Sequence, residues 1–164
     1  EQGVGTTFVI TIPFKINEDA SRDEEKQDEV TASIKGLNIL LVEDNELNME
    51  IAEFVIQSKG ASVVKAWNGQ EAVEAFEKSA SGEFDVILMD VMMPVMNGYE
   101  ATKTIRTMDR SDAKKIPIIA MTANAFVEDR IKSKEAGMNE HVSKPIDMKL
   151  LVKIIAELAE KKEM

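Results

Sequence analysis

Phe84-Asp85-Val86-Ile87-Leu88-Met89-Asp90-Val91-Met92-Met93-Pro94-Val95-Met96-Asn97-Gly98 is the stretch whose reading decides the fold. The apolar residues from Val86 to Met89 run straight into a carboxylate, and a proline-containing loop closed by glycine follows at once. A run this short, bounded by turn residues, predicts a strand covered on both faces. Asp90 then stands at that strand's carboxyl end. Open α/β sheets gather their chemistry at that edge, so Asp90 reads as a reactive group rather than a generic surface acid.

Strand and helix signals alternate on both sides of this segment. Upstream, residues 37–42 form an apolar run that ends in Glu43-Asp44, and Asn45 is placed to cap a helix reaching about residue 59, with Gly60 as its stop. Residues 61–66 predict a weaker strand; Asn68 then caps a helix over about 69–79, with Glu71 as its capping-box partner. Downstream come a helix over about 99–108 and a strand over 116–122, with Pro117 near its start where a missing donor does least harm. A helix over about 125–136 is stopped by Gly137, residues 141–144 make a short strand, and Asp147 caps a last helix to about residue 158. Successive βα units predict an α/β fold: a doubly wound, flavodoxin-like, five-stranded parallel sheet of order 2-1-3-4-5.

Composition limits what such a domain can do. The formal charge of −10 lacks the basic face a nucleic-acid footprint needs, and no apolar run approaches membrane-spanning length. There is no cysteine, which suits a reducing cytoplasm. Residues 17–29 carry Glu18, Asp19, Asp23, Glu24, Glu25, Asp28 and Glu29 against Arg22 and Lys26, half of the net charge in a segment with one alanine and nothing larger that is apolar. That is the signature of a self-repelling linker. Before it, residues 7–13 alternate like a strand that ends at Pro13. The expected organisation is therefore a strand remnant at 1–16, an acidic linker at 17–34 and the α/β domain at 35–164, in a chain that begins without an initiator Met and reads as a piece of a longer protein.

The predicted strand order brings Glu43, Asp44 and Asp90 together. Two carboxylates about 4 Å apart repel by roughly 4 kcal/mol at an effective dielectric of about 20, so the trio calls for a counter-charge. A hard divalent cation answers it; Mg²⁺ suits few carboxylates, retained waters and room for a phosphate oxygen, and Mn²⁺ could substitute. Strand four ends in a hydroxyl, Thr122, and strand five in an amine, Lys144. Acids, a metal, a hydroxyl and a cation around one carboxylate form a site for moving a phosphoryl group onto it. Each piece also has a plain reading: strand-end acids cap helices, Thr122 alone is a turn hydroxyl, Lys144 alone a solvated charge, and Met92, Met93 and Met96 ordinary packing. Their coincidence on one sheet edge favours the functional reading.

Over residues 35–160 the chain resembles a response-regulator receiver domain. The motifs are Leu-Leu-Val-Glu-Asp-Asn at 40–45, Met-Asp-Val-Met-Met-Pro-Val-Met-Asn-Gly at 89–98, Ala-Met-Thr-Ala at 120–123 and Lys-Pro at 144–145. The resemblance implies that Asp90 is the phosphoacceptor and that Asp44, Asp90 and the Met92 carbonyl bind Mg²⁺, with Glu43 acting mainly through water. It implies that Thr122 and Lys144 hold the phosphoryl oxygens and that the Lys144–Pro145 bond is cis. His141 stands at the switch position, where a larger aromatic is commoner, and reads as a part-buried strand residue rather than a phosphorylatable histidine. Met92 and Asn124 flank the path of the hydrolytic water, and a methionine there predicts modest self-dephosphorylation.

Residues 3–14 resemble the last glycine box and final strand of a sensor kinase's ATP-binding domain. Kinase remnant, linker and receiver stand in the order of a hybrid histidine kinase's C-terminus. The implied partners are the phosphohistidine of a sensor kinase and a histidine phosphotransfer domain, with neither nucleic acid nor direct membrane contact. The parent would be a kinase, while this piece would catalyse only its own phosphorylation and dephosphorylation. On the first helix Ile51, Ala52, Val55 and Ile56 are expected to face the sheet. Leu47 and Phe54 flank that face and, with Pro145 and Ile146, could dock a partner helix or simply widen the core. Two rivals remain: a docking-only module, and an aspartyl-phosphate phosphatase, which usually places a second acid where Val91 and Met92 stand.

Overall fold

The computed structural model describes residues 33–123 and 127–163. Strands and helices alternate as β1 (Asn38–Val42), α1 (Glu46–Ser58), β2 (Ser62–Ala66), α2 (Gly69–Lys78), β3 (Val86–Asp90), α3 (Gly98–Thr107), β4 (Ile118–Thr122), α4 (Val127–Ala136), β5 (Glu140–Ser143) and α5 (Met148–Glu163). The five strands form one sheet in the order β2-β1-β3-β4-β5, and every pairing is parallel. Two of the three inner strands, β3 and β4, are buried along their whole length, as their apolar runs require.

Two cores follow from strand alternation. Leu40, Val42, Ile87 and Met89 meet Phe76 of α2 and Ile105 of α3 on one face, while Ile39, Leu41, Val86 and Leu88 meet Met49 and Ile56 of α1 and Leu151 and Ile155 of α5 on the other. Full burial of each such side chain contributes about 1.5–3 kcal/mol. Ile34, placed by the sequence in the linker, is 1% exposed within the second core, and its carbonyl accepts from Leu37 N–H. The folded unit therefore includes residue 34, because an isoleucine at the foot of β1 has apolar surface to bury. The remnant strand and the acidic run lie outside the described residues.

Other corrections are local. Ile51 is 52% exposed rather than sheet-facing: Met49, Ala52 and Ile56 set the buried face, and Ile51 shares the outward stripe of Leu47 and Phe54, four residues after one and three before the other. At α2 the Asn68 side chain accepts from Glu71 N–H, but the Glu71 carboxylate takes Trp67 N–H at 2.8 Å instead of closing a capping box. A complete box stands at α3, between Asn97 and Glu100. β4 begins at Ile118 because Ile116 still belongs to the preceding turn, its N–H donating to Asp112 C=O, and Pro117 has no N–H. β5 starts and ends one residue earlier than expected, and α5 runs on to Glu163. Asp147 caps α5, accepting from Lys149 and Leu150 N–H.

Arg110, between α3 and β4, ties the far end of the sheet together. Its guanidinium lies 4.2 Å over the Phe76 ring and donates to the carbonyls of Phe76, Ser79 and Ala80 at the end of α2, where carbonyls lack helical partners. It also forks onto both oxygens of Asp112 at 2.8 and 2.9 Å, and Gly82 N–H adds a third bond to that carboxylate. The Arg110 hydrogen bond, helped by Gly82, holds the Asp112 carboxyl down to about 2, against the opposing effect of burial. A depressed carboxyl stabilises the fold above its unfolded pKa and loses that stabilisation as pH falls through the folded value. Asp112→Asn is expected to cost about 2 kcal/mol at neutral pH. In urea titrations against pH, the gap between the two proteins should close as pH drops from about 4 to about 2.

Candidate functional site

The sheet ladder carries the candidate residues to one edge. Beyond the strand ends it continues through Glu43 N–H to Ala66 C=O, Val91 N–H to Met121 C=O and Lys144 N–H to Thr122 C=O. Glu43, Asp90, Thr122 and Lys144 therefore close their strands side by side. Glu43 is 1% exposed, while Asp90 and Thr122 are each 4% exposed. Asp44, the next residue out, is exposed. Carboxylate oxygens of Glu43, Asp44 and Asp90 lie within 4.8 Å of one another.

Lys144 Nζ sits between two of these acids, 2.6 Å from Glu43 Oε2 and 2.7 Å from Asp90 Oδ2. The Lys144–Pro145 bond that precedes α5 is cis, as expected. Asp90 Oδ1 accepts from Met92 N–H at 3.1 Å, and Glu43 Oε1 accepts from Asn48 Nδ2 at 3.0 Å. Burial pushes the Asp90 carboxyl above its ordinary value and the Glu43 charge adds to the rise, although the Lys144 hydrogen bond and charge pull the other way. Burial alone would lower Lys144, but hydrogen bonds and charges from Asp90 and Glu43 outweigh it and raise its pKa. The ammonium thus stays charged yet offsets only one of three acids. The remaining negative charge, the oxygen-only donors and the exposed side at Asp44 fit a hard divalent cation.

The loop after β3 is pinned at both ends. Gly98 N–H donates to Val91 C=O and Gly69 N–H to Met96 C=O, both at 3.0 Å. Backbone approaches so closely here that a Cβ on Gly98 would lie 2.2 Å from the Asp90 carbonyl oxygen. Val95, at the tip, has φ +69° and is 84% exposed, a strained conformation for a β-branched residue. Met93 and Met96 pack on the core, whereas Met92 is 72% exposed beside Asp90.

His141 pairs with Ala120, two residues before Thr122, so the imidazole lies on the same face of the sheet as the threonine. Part-buried, with Nδ1 3.3 Å from Glu140 Oε1, it is the strand residue expected and not an exposed helical histidine. Asn124 lies outside the described residues. On α1, Leu47 and Phe54 are 64% and 75% exposed. They flank, without lining, a cleft of about 510 Å³ formed by Asn48, Ile51 and Ala52 against Lys144, Pro145 and Ile146. Asn48 was missed by the sequence reading; its only signal was its place on the first turn of a helix that starts beside the acid pair.

The response regulator receiver domain model matches residues 39–156. This chain belongs to the response regulator receiver domain family. The receiver is 38% identical to the receiver domain of sensor histidine kinase PA1611 from Pseudomonas aeruginosa PAO1, with a TM-score of 0.69 over 76% of this chain and 98% of that one. In that structure magnesium is coordinated in the active site cleft. It is 30% identical, with a TM-score of 0.69 over 79% of this chain and 93% of that chain, to a co-crystal structure of the Saccharomyces cerevisiae histidine phosphotransfer protein Ypd1 and the receiver domain of its downstream response regulator Ssk1. The aerobic respiration control sensor protein ArcB of Escherichia coli K12 is 35% identical over 156 residues, which cover 94% of this chain and 19% of that protein. The matched stretch spans 5% to 19% of the length of six such curated relatives, ArcB among them. Among the described residues no helix is long and apolar enough to cross a membrane.

Proposed function

We propose that this receiver takes a phosphoryl group onto Asp90 from the phosphohistidine of a sensor kinase and passes it to a histidine phosphotransfer domain. The observation that carries the reading is the placement of Lys144 Nζ, within 2.7 Å of oxygens on both Glu43 and Asp90 at the edge of the sheet where Thr122 also ends. An Asp90 oxygen bonds to phosphorus as the phosphorus–nitrogen bond breaks; the imidazole nitrogen keeps the bonding pair and takes a proton from water. Lys144 follows the new oxygens and Thr122 donates its hydroxyl to one of them, so charge is met as it develops. Asp44, Asp90 and the Met92 carbonyl would hold Mg²⁺, or Mn²⁺ in its place, which supplies positive charge to the phosphoryl oxygens. Glu43, with both oxygens already occupied by Lys144 and Asn48, would act on it through water. The engagement of Thr122, with His141 on the same face, then shifts the population toward a state in which α4 and β5 have moved.

Hybrid-kinase origin is supported by the reach of the ArcB match. An alignment covering 94% of the chain omits only about ten residues, so it takes in much of the stretch before residue 33. We place this receiver in the cytoplasm, a reducing compartment that a sequence free of cysteine suits. The phosphotransfer partner is supported by the Ssk1–Ypd1 co-crystal and by the apolar stripe of Leu47, Ile51 and Phe54 beside Pro145 and Ile146, a surface shaped for a helix. Leu47→Ala and Phe54→Ala are expected to change stability by less than about 0.5 kcal/mol while slowing transfer to a phosphotransfer domain about tenfold. Stopped reactions resolved by gel report the transfer; unchanged rates would remove the stripe from the interface.

The direct test follows intact mass after incubation with Mg²⁺ and acetyl phosphate. One phosphoryl group should be gained, none with EDTA and none in Asp90→Asn. That variant should fold at least as well without metal, since burial already disfavours the Asp90 charge, so its failure to label would not come from unfolding. Labelling of Asp90→Asn at the wild-type rate would move the acceptor elsewhere.

A further inference from the structure

The Glu43 carboxylate is almost fully buried, and among the described residues each of its oxygens has one partner: Oε2 takes Lys144 and Oε1 takes the side-chain amide of Asn48. Asn48 is itself exposed and fixed from behind, because its backbone N–H donates to the Asn45 cap at 3.0 Å. The first turn of α1 thus reaches back over its own cap to grip the acid that shares the site lysine. We propose that Asn48 is a positioning residue: its amide fixes Glu43 in the orientation from which that carboxylate shares Lys144 with Asp90, and so keeps Asp90 ready to accept a phosphoryl group. This rests on the proposed phosphoacceptor role of Asp90.

Without the amide, Glu43 keeps a single partner and its carboxylate is free to turn. A buried carboxylate that loses one of two donors loses both stabilisation and direction. Lys144, already 2.7 Å from Asp90 Oδ2, then loses the competing hold of Glu43 and grips that oxygen more firmly, which opposes its attack on phosphorus. Asn48 needs no contact with the phosphoryl group to exert this effect, since it acts only through Glu43.

Dependence on Glu43 makes the claim testable by a double-mutant cycle. Asn48→Leu, at an exposed position where the fold tolerates substitution, should slow phosphorylation by acetyl phosphate about fivefold, and Asn48→Gln, which keeps an amide donor, should recover part of the loss. In a Glu43→Gln background Asn48→Leu should have no further effect. A readout independent of turnover is the Nζ resonance of Lys144 in lysine-labelled, metal-free protein, assigned with Lys144→Arg. It should shift in Asn48→Leu and not shift again when Asn48→Leu is added to Glu43→Gln. Equal slowing in both backgrounds, or an unmoved Lys144 resonance in the single variant, would overturn the proposal. Wild-type protein that takes up no phosphoryl group while the Lys144 resonance behaves as expected would instead overturn the phosphoacceptor reading on which the proposal stands.

Discussion

Lys144→Ala is expected to destabilise the metal-free receiver by about 3 kcal/mol and to slow its phosphorylation on the order of a hundredfold. Among the described residues the lysine is the one ammonium in contact with Glu43 and Asp90, whose side chains are 2% and 5% exposed, and removing it leaves two buried carboxylates facing each other. Breaking a buried pair by deleting one partner typically costs about 3–5 kcal/mol. The Lys144 side chain retains 20% exposure, and water reaching the site moderates the loss to the lower end of that range. Urea unfolding in EDTA and in saturating Mg²⁺ separates the causes. A cation entering among Glu43, Asp44 and Asp90 replaces part of the missing charge, so the deficit should shrink with metal, and the variant should bind Mg²⁺ more tightly because no ammonium repels it. A deficit of the same size in both conditions would mean that the cation does not enter this acid cluster.

The loss of rate has a different origin. In the proposed transfer to Asp90, negative charge would concentrate on oxygens beside Lys144, so the lysine is expected to contribute more in the transition state than in the resting site. A variant that recovers stability in Mg²⁺ without recovering rate would separate these two roles of one side chain.

Why the site was legible while its supports were not follows from how each is encoded. Asp90, Thr122 and Lys144 announce themselves because an apolar strand that stops at a polar residue marks a sheet edge, and parallel order then fixes which edges adjoin. Those apolar runs predicted strands covered on both faces, and the division of their side chains between two cores came with the structure. Helix faces were harder: α1 carries apolar residues on more than one side, and only packing decides that Met49, rather than Ile51, turns inward. Glu71 followed its sequence pattern halfway, since its carboxylate reaches the Trp67 N–H one residue further back. Asn48 and Arg110 act on partners 5 and 34 residues away through side-chain geometry that no periodicity records. Contacts of that kind are set by tertiary distance, so the sequence named the candidate residues at the sheet edge and left out side chains that tie distant segments together.

Gly98→Ala carries the second large effect, through sterics alone. A Cβ at this position would meet the Asp90 carbonyl oxygen at 2.2 Å, Met89 Cγ at 2.9 Å and Val91 Cα at 3.0 Å, and two of these three are backbone atoms that have no rotamer to change. The start of α3 would have to move off the end of β3, breaking the Gly98 N–H bond to Val91 and loosening the capping box of Asn97 and Glu100. A loss of about 3 kcal/mol is expected, measured by urea unfolding. Gly36 provides the control. Its φ is +84° and nothing lies within 4 Å of its missing Cβ, so Gly36→Ala carries only the conformational penalty of a left-handed residue, about 1 kcal/mol. Because the clash falls on Asp90's own carbonyl, Gly98→Ala should also slow phosphorylation under conditions where the protein is still folded, whereas Gly36→Ala should not. Equal stability losses at the two glycines, with equal rates, would show that the loop after β3 yields to a methyl group and does not hold Asp90 in place.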